Sequence, residues 1–550
     1  MRLHTWFTIL AASALGMATA AGAPHAHSKR DAVLQSGISG PVRIIARTQP
    51  GLASGLVDRL RQRQRIVIKQ HTLIDAVTAL VPVEELETLD ADPAILSVSL
   101  DAAVVTDKTM AATASGSGGN AESNALLATL GLPARGLTGK GVGVAVIDSG
   151  IATNGDFTGV TFYDFTGGLG GNPYDDFGHG THVSGLIASK GALSQGNGGA
   201  LYSGVAPKAR IISLKVLDAH GFGQTSTVID ALEFAVANRQ SLGIDVINLS
   251  LGHPILEPAS TDPLVQAVEA ATRAGIVVVV AAGNVGQSLG AATPGYAGIL
   301  SPGNAPSAIT VGAVDTRNTA TRLDDAVAIY SSRGPTWYDA LVKPDLVAPG
   351  HNLVSDAALA STLYTEHPDR QVTAKGGSSR LFRMSGTSMA AAVTSAVVAL
   401  VIEASRGSFG STPPPDTIRA ILEYSALPLT SGDLLTQGHG ELNAAGAVAL
   451  AASVSPSTAP SSWPGANLPA PVTTIDGQTW EWGQTIVWGN TIVWGNTADG
   501  ALPAWAQTIV WGNTIVWGNE IGDTIVWGNT IVWGNNFDTI VWGNSVWDNP

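Results

Sequence analysis

Val144-Ala-Val-Ile-Asp148-Ser-Gly150 is an unbroken apolar run that ends in an acid and a glycine. Such a run suits a strand covered on both faces, as in a parallel sheet. Working outward, Val142 to Ile147, Ile211 to Val216, Val246 to Leu249, Ile276 to Val280 and Ile309 to Val314 all have this texture. Helically spaced stretches lie between them, for example Thr227 to Ala237 and Pro263 to Ala274. The alternation predicts an α/β, doubly wound, mainly parallel sheet over residues 125–452. In such a fold, functional groups sit on loops at strand ends.

Four segments meet that expectation. Asp148 closes the first strand. His179-Gly-Thr-His182-Val-Ser-Gly185 opens a helix. Ala281-Ala-Gly-Asn284 follows a strand directly, and Ser385-Gly-Thr-Ser388-Met-Ala390 opens an apolar helix. A serine hydroxyl becomes a useful nucleophile only when a base takes its proton. Histidine is the usual base, and a carboxylate holds and stabilises its charged form. The oxyanion that develops needs preset donors. Asp148, His179, Ser388 and Asn284 supply those types. Taken singly, each has a plainer reading: an Asp at a turn, a Ser at a helix N-cap, an Asn in a loop. Four of them in order at strand and helix ends make accident a poor account. Residue types alone leave His179 and His182 as alternative bases.

The order Asp, His, Ser and the motifs around it resemble the subtilisin-like serine proteases, the subtilases. Further stretches carry the likeness: Gly204-Val-Ala-Pro207, Lys215-Val-Leu217, Val246 to Gly252, Ser301-Pro-Gly303 and Lys343 to Gly350. The resemblance implies that Asp148 orients His179, His179 is the base, Ser388 attacks and Asn284 donates to the oxyanion. It further implies that Ser250, Leu251 and Gly252 pair with peptide backbone by adding a strand. Gly221 and Gly223 would form the opposite wall, and Gly283 would line the substrate site. Leu300, two residues before Pro302, is expected to narrow the primary specificity pocket. Two departures stand out. Ala392 replaces a proline that commonly follows the nucleophile. The stretch Ala188 to Ser203, where the family's strongest calcium loop lies, carries no carboxylate. Asp156 reads as a turn residue, so no metal site and no required cofactor are expected.

Residues 28–107 read as a small α+β unit. Val42 to Ala46 is a strand, Leu52 to Arg65 a helix, Leu80 to Val83 an edge strand carrying Pro82, Glu84 to Asp90 a helix and Leu96 to Val98 a strand. By position and length this unit resembles an inhibitory propeptide acting on its own chain, cut off near residues 105–112. A flexible linker is expected at 108–124. Residues 1–23, with Arg2, an apolar run and Ala-x-Ala sites, read as a signal peptide. That reading implies a secreted, extracellular or cell-surface protein.

Composition excludes other classes. The net charge is −14, charged residues are only 13%, and no Lys or Arg occurs after Arg419. A nucleic-acid partner is therefore not expected. Cysteine is absent, which removes thiol catalysis and Cys-ligated metals. No membrane span is expected. The competing functional classes are an inactive scaffold, disfavoured because all four catalytic positions are filled, and an esterase, disfavoured by the peptide-pairing strand. Residues 453–475 are expected to be a linker. After it, Thr-Ile-Val-Trp-Gly-Asn recurs from 485, 491, 508, 514, 524, 530 and 539, in a tail spanning 476–550. Strand-forming Thr-Ile-Val-Trp with Gly-Asn turns predicts short β-hairpins or a disordered tail. Its exposed Trp residues suit binding to a surface or glycan.

Overall fold

A computed structural model describes residues 28–484, apart from 107–123, 133–135, 158, 169–170, 197–198, 287–294, 374–378, 459, 461–462 and 464–467, together with strands between 492 and 547. The expected signal peptide and the 108–124 linker, up to residue 123, lie outside the described residues.

The central sheet has eight strands. Its order is Ala326–Val327, Ile309–Asp315, Val277–Ala281, Val246–Leu249, Gly143–Asp148, Arg210–Lys215 and Thr161–Asp164, with Leu346–Pro349 also paired to Ile309–Asp315. All pairs are parallel except the short one at Ala326–Val327. Every residue of Gly143–Asp148, Val246–Leu249 and Val277–Ala281 is buried, which is why these runs are apolar without alternation. Helices cover both faces. Thr387–Phe409 runs through the core on one side, and from Thr387 to Ile402 it carries no charge because every residue there is buried. Thr225–Ala237 and Pro263–Arg273 cover the other.

The N-terminal unit is a four-stranded antiparallel sheet, ordered Ile66–His71, Ala76–Val81, Val42–Thr48 and Ile95–Leu100. Helices Ala53–Gln62 and Glu85–Ala91 pack with it to form a separate core. The other face lies on the two outer helices of the large domain. Ile45, Ile74 and Ala76 join Ala231, Leu232 and Leu264 in one buried cluster. Asp101 caps a helix of the other domain, because its carboxylate accepts from the backbone N–H and hydroxyl of Ser226. The strand that ends before Pro82 is interior to the sheet; Pro82 lies just beyond it, where its missing N–H breaks no ladder. Strands Ile66–His71, Ala103–Val105 and Thr161–Asp164 were not expected from sequence.

Two expectations for the C-terminal region change. Residues 453–475 are not simply a linker. Trp463 is 1% exposed, and Val472–Ile475 pairs antiparallel with Gln478–Glu481. This hairpin docks through Ile475 and Trp482 into the large core, and Trp482 Nε1 donates to Thr473 Oγ1 at 2.8 Å. The catalytic domain therefore runs to about residue 484. Beyond it, the described repeat strands do not form hairpins. Ile492–Trp494, Thr514–Trp517, Thr530–Trp533 and Ser545–Trp547 make one parallel sheet; Ile509–Trp511, Ile521–Trp527 and Phe537–Trp542 make another. Successive strands from Ile509 onward alternate between the sheets. Parallel register sets like on like: Trp494 opposite Trp517 and Trp517 opposite Trp533, Trp511 opposite Trp527 and Trp527 opposite Trp542. A two-residue turn can close only an antiparallel pair. The described strands on either side therefore belong to different sheets: Ile509–Trp511 and Thr514–Trp517, and again Ile521–Trp527 and Thr530–Trp533.

Candidate active site

Asp148 is the last residue of Gly143–Asp148, and His179 is the first of the helix His179–Ala188. Both carboxylate oxygens face the ring: His179 Nδ1 lies 2.8 Å from Oδ1 and 2.9 Å from Oδ2. Asp148 is fully buried and His179 nearly so. That contact fixes Nδ1 as the protonated nitrogen and leaves Nε2 as the basic one. Asp175 holds the start of this helix. Its Oδ1 accepts from Gly178 N and Ser149 Oγ, and its Oδ2 from Thr181 N and Oγ1. Lys215 is buried beside it, donating to the carbonyls of Ser149 and Leu217 and to Asp176. Reading the sequence missed Asp175, because an acid four residues before the histidine carries no periodic signal.

Geometry separates the two histidines. His182 is completely buried, and its Nε2 faces the carbonyls of Leu353 and Phe382 at 3.2 and 3.1 Å. Burial first, then the nearby His179, pushes it down to about 3, so it stays neutral at any working pH. His182 is a packed core residue.

Ser388 is the second residue of Thr387–Phe409. Its hydroxyl donates to the Ser250 carbonyl at 3.3 Å, and the Ser250 hydroxyl donates to the Ser388 carbonyl at 3.1 Å. Ser250 directly follows Val246–Leu249, which pairs with Gly143–Asp148 in parallel register. Nucleophile and base are thus anchored to the ends of adjacent strands, about 4.8 Å apart in the hydrogen-bonding direction.

Asn284 follows Val277–Ala281 and is 9% exposed. Its Oδ1 accepts from Thr387 N at 2.9 Å and Thr387 Oγ1 at 3.1 Å. With the carbonyl end occupied, the amide must present its N–H groups on the other side. Nδ2 lies 3.4 Å from where a Cβ on Gly386 would stand, so it is directed at the loop that precedes Ser388. Thr387 was the other residue missed. Its role depends on a contact across 103 positions of sequence.

The expected peptide seat is occupied by the chain itself. Ala103–Val105 pairs antiparallel with Phe222–Gln224, setting Val105 opposite Phe222 and Val104 opposite Gly223. On its other side Val105 exchanges both backbone hydrogen bonds with Gly252, at 3.0 and 3.1 Å. Thr106 N donates to the Gly221 carbonyl. Gly221, Gly223 and Gly252 therefore flank an extended segment, with Ser250 and Leu251 continuing one wall. Val104 is fully buried, and a Cβ on Gly223 would stand 3.2 Å from its methyl carbon. Gly283 has φ +107, and a Cβ there would lie 2.8 Å from Leu300 Cγ and 2.9 Å from Ser332 Oγ. A Cβ on Gly252 would meet Leu300 Cβ at 3.3 Å. The Leu300 side chain therefore fills the space between Gly252 and Gly283.

Asp156 caps a turn in a neighbouring segment. Its two oxygens accept from Ala192 N and Leu193 N.

This arrangement is equipped to activate a hydroxyl, accept its proton, hold a peptide in extended form and receive a developing negative charge. Comparison with known proteins agrees. The model of the Subtilase family matches residues 139–459, more than half of the chain. Serine protease AprX of Bacillus subtilis (strain 168) is 39% identical over 319 residues, 57% of this chain and 67% of AprX. Subtilisin E of the same organism is 39% identical over 229 residues, 41% of this chain and half of that protein's length. Among solved structures, fervidolysin from Fervidobacterium pennivorans, described as a keratinolytic enzyme related to subtilisin, matches with a TM-score of 0.57. It is 21% identical and the match covers 78% of this chain and 64% of fervidolysin, a likeness of fold.

Proposed function

Because this chain belongs to the subtilase family of serine proteases, we propose that it is a secreted endopeptidase made as a self-processing zymogen. The single observation that carries the reading is the segment 103–106. It is seated as a peptide strand between 221–224 and 250–252, beside Ser388.

The proposed steps use these residues in the roles that the family resemblance implies. His179 Nε2 takes the proton of the Ser388 hydroxyl as the oxygen attacks the peptide carbonyl. Asp148 stabilises the imidazolium so formed. The carbonyl oxygen becomes an oxyanion and receives an N–H of Asn284, with further help from the start of the helix Thr387–Phe409. His179 then gives its proton to the leaving amine, and an acyl-Ser388 remains. Water, deprotonated by His179, hydrolyses it. No step calls on a metal or cofactor.

Residues 28–107 act as the intramolecular inhibitor. Reading residues 28–107 as the removed unit puts the cut at Asp107–Lys108, within the stretch 105–112 that follows the paired segment. Leu300 shortens the pocket behind the attacked carbonyl, which favours a small side chain at the cut residue. Val104, three residues before Asp107, marks an apolar pocket. The repeat tail holds the enzyme on an insoluble surface or glycan through apolar and aromatic contact.

The test is Ser388→Ala in the full chain. The expected result is a precursor that stays uncut and leaves casein intact, whereas the parent matures with a new N-terminus at Lys108. Self-processing of Ser388→Ala would overturn the assignment.

A further inference from the structure

Where the N-terminal domain rests on the large domain, a second group of chemistry-bearing side chains lies outside the cleft. His71 ends the strand Ile66–His71 and is fully buried. Its Nε2 is 2.7 Å from the hydroxyl of Thr78 on the adjacent strand. Its Nδ1 is 3.1 Å from Asp230 Oδ1, and neither buried atom makes a hydrogen bond. Asp230 and Glu233 stand three residues apart on the helix Thr225–Ala237, so they share a face. Ligand-capable atoms of His71, Asp230 and Glu233 all lie within 4.8 Å of one another.

The contacts around the cluster leave one place unfilled. Lys69 Nζ, at 3.4 Å, attends to Asp230 Oδ2, not Oδ1. Thr72 donates its backbone N–H and its hydroxyl to Glu233 Oε1. If His71 Nε2–H donates to Thr78, the Nδ1 lone pair points at a carboxylate oxygen. Two lone pairs at 3.1 Å repel unless a positive centre sits between them. The Nε2–Thr78 contact is the kind of outer partner that fixes the tautomer of a metal-bound histidine.

We propose that His71, Asp230 and Glu233 form a site for a first-row divalent cation of the zinc type, shared between the N-terminal and catalytic domains. One imidazole nitrogen with two carboxylates suits zinc, with water completing the tetrahedron. Imidazole is a poor partner for calcium, which takes oxygen ligands. Ligand atoms of a tetrahedral zinc stand about 3.3 Å apart; His71 Nδ1 and Asp230 Oδ1, at 3.1 Å, are already near that spacing, so the remaining closure is that of Glu233. Two ligands belong to the catalytic domain and one to the segment removed on maturation, so the complete site exists only while the domains are docked. A cation that binds only the docked form favours it by mass action: at a concentration about 100 times its Kd, the docking equilibrium tightens about 100-fold. The zymogen complex is thereby made sensitive to zinc. The site itself rests on the docked geometry; its regulatory meaning rests on the inhibitor role given above to residues 28–107.

The experiment uses the full-length Ser388→Ala chain, stripped with a chelator and titrated with ZnCl2 against a chromophoric zinc chelator. His71→Gln and Glu233→Gln are made in the same background; Glu233→Gln, at a half-buried position, serves if His71→Gln fails to fold. The expected result is one zinc equivalent lost in each variant, with CaCl2 unable to displace it from the parent. Mature enzyme freed of residues 28–107 should bind one equivalent fewer than the precursor. Equal zinc counts in precursor, variants and mature enzyme would overturn the proposal and leave a proton between His71 and Asp230. If Ser388→Ala still cuts itself, the nucleophile assignment fails, whereas the zinc count of the uncut chain stands separately.

Discussion

The cleft and the interface beneath the N-terminal sheet hold the same domain in two different ways. In the cleft, residues 103–106 are held chiefly by backbone: Val105 with Gly252, Val104 with Gly223, Thr106 with Gly221. Nearly any extended peptide can make those bonds. Under the sheet the contacts are between particular side chains. Arg43 and Asp101 meet Ser226, Thr72 meets Glu233, Arg47 meets Gln266, and Glu257 is buried against Asp31, Asp262 and Ser99. The difference teaches a division of labour. The cleft contacts run through backbone and are general; the interface contacts run through particular side chains.

The comparison can be broken at the cleft first. Asn284→Ala removes the side-chain amide proposed above as a donor to the oxyanion. Turnover should fall about 10²–10³-fold, the loss typical when one such donor is deleted from a subtilisin-type enzyme, with KM little changed. Steady-state kinetics on a small peptide substrate checks it; normal turnover would remove Asn284 from the mechanism.

Leu300→Gly sharpens the claim that the cleft is general except behind the scissile carbonyl. Opening the space between Gly252 and Gly283 should raise kcat/KM for Phe relative to Ala at the cut residue, by about 10-fold or more. A paired set of peptide substrates decides it, and an unchanged ratio would place the pocket elsewhere.

The interface should show its own pH dependence. Glu257 is 6% exposed, and burial first, then Asp262 and Asp31, pushes its carboxyl up to about 8, with Ser99 and Thr261 acting in the opposite sense. Arg47 faces it from the N-terminal sheet, and His253 lies near Asp31. In the docked state Glu257 keeps a proton that an uncovered carboxyl would release near 4.5. Docking stability from this group is therefore full below about 4.5, declines as pH rises from there to about 8, and is lost above. Release of residues 28–107 after cleavage should quicken across that window, and Glu257→Gln should flatten the trend. A stopped activity assay between pH 5 and 9 checks this; identical pH profiles would exclude Glu257.

The smallest effect is expected from the far end of the chain. Deleting 485–550 should leave small-peptide hydrolysis unchanged, because the described catalytic core closes at Trp482, yet lower retention on insoluble material. Deleting from 470 instead should destabilise the enzyme, since burial of Ile475 and Trp482 is lost at about 3–5 kcal/mol for the tryptophan alone. Equal thermal stability of the two truncations would contradict the docked hairpin.

Local patterning made part of this molecule legible. The apolar runs that became the parallel sheet, and the order of Asp148, His179, Asn284 and Ser388, stand in the sequence because strand burial and catalytic chemistry each demand particular residue types at particular places. What tertiary structure alone decided is contact across long separations. It enclosed His182, which residue types alone had left open and the family motif had passed over, between two carbonyls. It oriented Asn284 through Thr387 and placed Leu300 between two glycines. It drew Trp463 and Trp482 into the core from a stretch composed like a linker. It also set the repeats in parallel rather than folding them back on themselves. Sequence fixes which groups a chain carries; which of them face each other depends on how distant segments pack, and no local period encodes that.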